Sequence, residues 1–159
     1  MNARHLLRTA SVAGTALALS LAPLSSALAA SATQVNGLMR PDDGHVCTAH
    51  PDAFVAQTVE GSLVGCWYVD TADFKNDNQA GGFLATGTET FIGCLDTRCG
   101  SFRTTFSFTA KYQGDLEEHG RCHHPVVGGD GAFAGISGEI SMHDDPSGCS
   151  TYHGALKLS

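Results

Sequence analysis

The chain has 159 residues, with 9 basic and 16 acidic side chains and a formal charge of −7 at pH 7. This length predicts one domain that is large enough to bury a hydrophobic core. A net negative charge without a cluster of lysine or arginine argues against nucleic acid and anionic membrane surfaces as partners.

The first 29 residues have the pattern of a secretory signal peptide. Arg4 and Arg8 give a basic start, an apolar run follows, and residues 27–29 (Ala-Leu-Ala) match the small-x-small site of signal peptidase. An uncleaved anchor is the alternative, but the run is shorter than the roughly 20 residues of a membrane span, and Pro23 interrupts it. We expect a cleavable signal peptide at 1–29, secretion, and no membrane association afterwards. Loss of two arginines makes the formal charge −9.

All six cysteines lie in the part that we expect to be exported. An even number in an oxidising compartment favours three disulfides. Cys94 and Cys99 flank a four-residue turn, which would bring them to bridging distance in a hairpin. We expect the other pairs to be Cys47–Cys66 and Cys122–Cys149. Zinc is the alternative, but no second pair at finger spacing is present, so we expect no cofactor.

The exported part alternates between apolar and polar residues, which is the period of half-buried β-strands, and shows no helical period. We interpret residues 30–52 as a leader, poorly packed over 33–46 and tied down at Cys47, and residues 53–159 as the folded domain. The composition of residues 71–82 predicts a mobile loop. Strands are predicted at 53–60, 62–70, 83–94, 101–112, 121–127, 139–144 and 150–158.

Residues 101–112 (SFRTTFSFTAKY) give the clearest alternation. The opposite face of this strand carries Arg103 and Lys111 among polar residues, which indicates that it faces water. The expected inward face consists of Phe102, Thr104, Phe106, Phe108, Ala110 and Tyr112.

A meander of seven or eight short strands must protect its edges, and closure into a barrel does so most completely. We therefore predict an all-β fold with a single antiparallel, calycin-like barrel of about eight strands. The glycine-rich segment 128–138 (GGDGAFAGISG) comes close to a dinucleotide-binding fingerprint. It continues into an alternating strand rather than a helix, so we interpret it as a turn that directs Phe133 inward.

Three segments carry a resemblance to a known family. They are GTETFIGCLDTRCGSF from Gly87, GRCHHPVVGGDGAFAGISGEISMHD from Gly120, and YHGALKL from Tyr152. Together they resemble a bacterial, secreted domain family of unknown function, which is itself similar to the allene oxide cyclase and dirigent barrels of plants. The resemblance covers roughly residues 53–158. It implies an eight-stranded antiparallel barrel with a ligand-sized mouth and no particular reaction, and the chain departs from it at Thr97, where glycine is usual.

Glu89 is the first candidate for a functional residue, because alternation places it on the apolar face of its strand. A buried carboxylate is costly unless it is paired, and such groups concentrate at functional sites. The alternatives are a structural glutamate held by Arg98, Arg103 or a tyrosine, or a shifted register that turns it outward. Ligand-binding candidates, which are equally compatible with a core role, are Glu89, Phe91, Tyr112, Trp67 and Tyr152.

The histidines are interpreted as surface residues, with no metal site. His123 and His124 are neighbours on a strand, so they must face opposite sides. His143 and His153 could meet across a strand pair and, with one of these two and Glu139, hold zinc or copper. This metal site is the alternative to a set of solvated histidines.

Three functions remain open from the sequence. The first is a secreted, disulfide-stabilised barrel that binds a small apolar or amphipathic ligand. The second is an isomerase or cyclase of the allene oxide cyclase-like type, with Glu89 as the candidate catalytic residue. The third is a secreted inhibitor or adhesion protein that acts through its outer surface. Binding without catalysis is favoured, and the oligomeric state stays open.

Overall fold

The computed structural model describes residues 31–77, 82–113, 116–144 and 149–159. The predicted signal peptide therefore lies outside the described residues. The described part is built from eight β-strands: β1 (Thr33–Pro41), β2 (Val55–Gly61), β3 (Leu63–Asp77), β4 (Gly82–Leu95), β5 (Arg98–Gln113), β6 (Leu116–Gly131), β7 (Ser137–Asp144) and β8 (Ser150–Lys157). Within these ranges, no helix is long and apolar enough to cross a membrane.

The strands form one closed barrel in which each strand pairs with its sequence neighbours and β1 pairs with β8. Every pairing is antiparallel. Val35 of β1 lies opposite Gly154 of β8, so the first and last strands complete the cylinder. The predicted all-β, eight-stranded antiparallel barrel is confirmed, and closure leaves no free sheet edge between these strands.

The predicted leader at residues 30–52 is corrected by β1. Val35 and Met39 point into the barrel and are 2% and 0% exposed, and Gly37 lies between them at the same phase. The barrel therefore begins near residue 33 rather than at residue 53. The connection that follows β1 is held against the barrel wall by the Cys47–Cys66 disulfide and by a hydrogen bond from Ala49 N to the Tyr68 hydroxyl.

The mobile loop predicted for residues 71–82 is corrected over residues 71–77 and at residue 82, because β3 continues to Asp77 and pairs with β4 from Gly82. Residues 78–81 of the predicted loop lie outside the described residues. A β-bulge shifts the register between Val69 and Thr71, and a bulge lets a strand bend while its pairing resumes beyond it. The pairing brings the rings of Phe74 and Phe83 to 5.8 Å. Backbone pairing in this hairpin outweighs the polar composition that suggested a loop.

Aromatic side chains fill one end of the barrel. Phe102 lies 4.8 Å from Phe91 and 5.6 Å from Phe133, measured between ring centroids, and Trp67 packs against both Phe91 and Phe102. Phe133 enters from the β6–β7 turn, in which Gly131 and Gly135 have φ of 66° and 74°. These left-handed conformations suit glycine. Both the inward alternation of β5 and the inward position of Phe133 agree with the sequence analysis.

Two of the three predicted disulfides are present, Cys47–Cys66 and Cys94–Cys99. The predicted Cys122–Cys149 bridge is wrong, because Cys122 is a buried thiol inside the barrel. Cys149 is only partly buried, and its Sγ lies 3.8 Å from Nη1 of Arg40, whose side chain is 50% exposed.

Candidate functional site

A cavity of about 240 Å³ lies inside the barrel, at the end where β3 and β4 meet. Its walls are mainly apolar and include Phe83, Phe106 and Phe108. Phe54 and Phe74 also line it, and they are 63% and 50% exposed, so the cavity reaches the molecular surface beside them. The aromatic cluster at the other end of the barrel lies behind the floor of this cavity.

Glu89 lies deep in the cavity wall and is 4% exposed. Register places it opposite Thr104 of β5, whose Oγ1 donates a hydrogen bond of 2.8 Å to Glu89 Oε2. The same oxygen lies 2.6 Å from Nδ1 of His124 on β6. The carboxyl group thus has two partners from the neighbouring strands, which offsets the cost of burial.

His124 is the partner of Glu89 that the sequence analysis missed. Its side chain is 2% exposed, whereas the side chain of its neighbour His123 is 65% exposed. The imidazole ring lies edge-on to the Trp67 ring at 5.6 Å and is stacked with Phe106 at 6.3 Å. Interpreting His124 as a surface histidine is therefore wrong, although the prediction that His123 and His124 face opposite sides is confirmed.

The second ring nitrogen of His124, Nε2, is buried and has no hydrogen-bond partner among the described residues. Trp67 Nε1 is likewise buried and has no hydrogen-bond partner among the described residues. A buried polar atom without a partner costs on the order of 1–3 kcal/mol, which a bound polar group would recover. His124 lines the cavity, and its Nδ1 contact with Glu89 orients the ring. With its ring oriented in this way, His124 could exchange a proton or hydrogen-bond a ligand through Nε2.

Two more groups with ionisable or polar character line the cavity. Burial raises the pKa of the Cys122 thiol far above its ordinary value, and the charges of Glu89 and Asp144 raise it further. Asp144 lies at the end of β7, where its Oδ1 accepts a short hydrogen bond from the hydroxyl of Ser150 at the start of β8. The pKa of Cys122 therefore keeps this thiol protonated and poorly nucleophilic.

The structure places the predicted ligand-binding residues at different depths. Glu89 lines the cavity, while Phe91 and Trp67 belong to the aromatic cluster. Tyr152 is buried too, and its hydroxyl accepts a 2.9 Å hydrogen bond from Leu63 N. Burial raises the pKa of this tyrosine. The ring centroid of Tyr112 lies 5.9 Å from that of Phe83, which lines the cavity. Of the five, only Glu89 contributes to the cavity lining in the described part of the chain.

The outward histidines His123, His143 and His153 line one depression on the outer surface of β6–β8, where His123 and His143 have other partners. His123 Nδ1 lies 3.2 Å from Glu139 Oε1, and His143 Nδ1 lies 2.8 Å from the carbonyl oxygen of Asp144. In the described ranges, no group of three or more His, Cys, Asp or Glu side chains could hold a metal ion. The alternative zinc or copper site involving His143, His153 and Glu139 is therefore not assembled by the residues that the structure describes.

Comparison with known proteins supports the barrel and leaves the activity open. No protein-family model and no curated protein matches the chain. A solved structure of a DUF3224 family protein of unknown function from Shewanella oneidensis MR-1 is similar, with a TM-score of 0.58 and 19% identity. The match covers 80% of this chain and 98% of that protein. At this identity the similarity concerns the fold alone.

Proposed function

We propose that this protein is a secreted barrel that binds a small apolar or amphipathic molecule in the cavity beside Glu89 and His124. The observation that carries the proposal is an apolar cavity whose lining includes a buried histidine with one unpartnered nitrogen. Binding sites for small molecules have this composition, with apolar walls and a few convergent polar groups. A cavity that reaches Glu89 also favours an internal ligand over the alternative of an inhibitor or adhesion protein that works through its outer surface.

The size of the cavity limits the ligand. At about 30 Å³ for each water molecule, 240 Å³ corresponds to a ligand portion of roughly eight to ten non-hydrogen atoms. Phe54 and Phe74 extend the apolar surface outside the cavity, where their rings lie 5.5 Å apart. A longer ligand would continue along these exposed rings.

Secretion is part of the proposal and draws support from the cysteines. The Cys47–Cys66 and Cys94–Cys99 bridges suit an oxidising compartment, and the signal-peptide pattern of residues 1–29 gives a route to it. Expression with the complete N-terminus in a secreting bacterium tests this part. We expect a processed chain that begins near residue 30 in the culture medium, and an unprocessed chain that stays with the cells would contradict it.

Ligand binding is tested by native mass spectrometry of the protein purified from the medium, with cavity-filling variants. Ala85 is 3% exposed and lines the cavity, so Ala85→Leu fills part of it. The matched control is Ala132→Leu, at an exposed position in the β6–β7 turn. We expect a non-covalent adduct on the wild type and on the control, and a reduced adduct on Ala85→Leu. Equal adducts on all three proteins, or no adduct together with no thermal stabilisation by a panel of small neutral apolar compounds, would contradict the proposal.

An isomerase or cyclase of the allene oxide cyclase-like type is the second candidate, and the Glu89–His124 pair favours it. A carboxyl group at Nδ1 orients an imidazole whose Nε2 can take or give a proton, and an apolar barrel can hold a flexible substrate in a reactive conformation. Catalysis would be supported if the wild type converts the bound compound to a product and Glu89→Gln binds the compound but no longer converts it. Binding without turnover in the wild type would contradict it.

A further inference from the structure

We infer that the cavity accepts an uncharged amphiphile and excludes anionic ones such as carboxylates. This inference rests on the proposed ligand-binding function and specifies the ligand class. It follows from the charged groups of the cavity wall, from the deep end of the cavity to its mouth.

The deep end of the cavity has no free positive charge for an anion. None of the described residues that line it is a lysine or arginine, and its only basic side chain is His124. That side chain is already paired with Glu89 through the 2.6 Å contact. A carboxylate placed beside Nε2 would meet a histidine whose charge, when present, is balanced by Glu89, in a region where an unpaired charge is costly.

The outer part of the cavity is unfavourable for an anion as well. A fatty acid that enters with its tail inward would leave its carboxylate near the mouth. Asp144 lines this region, at the end of β7, with Ser150 donating to its carboxyl group. Both orientations of a carboxylate ligand therefore bring like charges together, at Glu89 or at Asp144.

The Cys122 thiol lines the same cavity and is subject to the same two carboxyl groups. Apart from burial, which has the largest effect, the groups that raise its pKa are Glu89 and Asp144, and both line the same cavity. A negative potential that disfavours a thiolate at this position also disfavours the carboxylate of a ligand.

A hydroxyl group suits the cavity in either protonation state of His124. It can donate to Nε2 when that nitrogen carries no proton, and it can accept from Nε2 when it carries one. An alcohol that reaches the buried Nε2 would therefore supply the partner that this nitrogen lacks without bringing a charge. This makes 1-octanol and octanoate a matched pair of probes, since they share the apolar chain and differ in the charge of the head group.

The experiment measures the affinities of 1-octanol and octanoate for the full mature protein at pH 7. Trp67 is the only tryptophan, and its ring lies 5.6 Å from that of His124, so its fluorescence reports occupancy of the cavity floor. Calorimetry gives the dissociation constants independently. We expect 1-octanol to bind at least tenfold more tightly than octanoate. Equal or tighter binding of octanoate would overturn the charge inference while leaving ligand binding intact, and binding of neither compound would overturn both.

Two charge-neutralising variants locate the effect. Asp144→Asn removes one negative charge from the cavity wall and keeps an oxygen that can accept from Ser150. Its control, Asp130→Asn, removes the same charge from the outer surface, where Asp130 is 72% exposed and lies 4.0 Å from Arg103. We expect the octanoate-to-octanol affinity ratio to rise at least threefold in Asp144→Asn and to stay unchanged in Asp130→Asn. An equal rise in both variants would assign the discrimination to net charge and overturn the inference.

Discussion

His124 Nδ1 lies 2.6 Å from Glu89 Oε2, and both side chains are almost completely buried inside the barrel. A second pair of the same two residue types, His123 and Glu139, lies on the outer surface at 3.2 Å, with the side chains 65% and 56% exposed. The two pairs differ mainly in burial. They therefore allow the energetic role of the inner pair to be measured within a single protein.

The inner pair is expected to contribute far more to stability than the outer one. Glu89→Ala leaves His124 and Thr104 without their buried partner, and breaking such a pair costs about 3–5 kcal/mol. Glu139→Ala removes an exposed pair, for which a loss below about 1 kcal/mol is expected. Urea denaturation followed by far-ultraviolet circular dichroism gives both free energies of unfolding. Similar losses for the two variants would show that the inner pair has no special structural weight.

The aromatic cluster should be the most sensitive part of the core. Phe133 is 0% exposed and packs against both Phe91 and Phe102, so Phe133→Ala is expected to lower the free energy of unfolding by about 3–5 kcal/mol. Phe54 is 63% exposed, and Phe54→Ala should change it by about 0.5 kcal/mol or less. Chemical denaturation at pH 7 measures both. A loss below about 1 kcal/mol for Phe133→Ala would mean that this end of the barrel repacks.

The sequence was sufficient to predict the strands that alternate strongly and the direction of their side chains. On β5 every second residue from Phe102 onward is apolar or aromatic except Thr104, so the inward face can be predicted without knowing the partner strand. β1 lacks this signal, because Gly37 separates Val35 from Met39. Its place in the barrel depends on β8, which is more than a hundred residues away in sequence.

The site was only partly predictable, for a related reason. Alternation directs Glu89 inward, but the identity of its partner depends on the register between β4, β5 and β6. The adjacent residues His123 and His124 have identical chemistry, and only the phase of β6 separates the exposed one from the buried one. Cys122 and His124 are two residues apart on β6, so they share one face of the strand. Applying the alternation to both would have indicated that His124 and the Cys122 thiol point inward, and would have argued against the Cys122–Cys149 bridge.

The two disulfides are expected to stabilise the fold unequally. The cysteines of Cys47–Cys66 are 19 residues apart, and those of Cys94–Cys99 are 5 apart. The chain-entropy relation gives about 3 kcal/mol for the longer loop and about 2 kcal/mol for the shorter one. Paired alanine variants of each bridge, compared by urea denaturation, test this order. A larger loss on removing Cys94–Cys99 would contradict it and point to the tight β4–β5 hairpin as the more critical element.

The buried thiol should make stability depend on alkaline pH. In the folded state the pKa of Cys122 is raised well above the 9.0 of an exposed cysteine, chiefly by burial. Above pH 9 the unfolded chain therefore loses this proton while the folded protein keeps it. The unfolded state then binds fewer protons, so the free energy of unfolding falls as pH rises. The stabilisation is complete below pH 9 and is lost on approach to the folded pKa.

The Cys122→Ala variant isolates this effect, because Tyr152, the lysines and Cys149 remain in both proteins. The difference in unfolding free energy between wild type and variant should shift by about 1.4 kcal/mol against the wild type between pH 8 and pH 10. Urea titrations at the two pH values, kept short to limit disulfide exchange, provide the measurement. A difference that does not change with pH would mean that the thiol ionises equally in the folded and unfolded states.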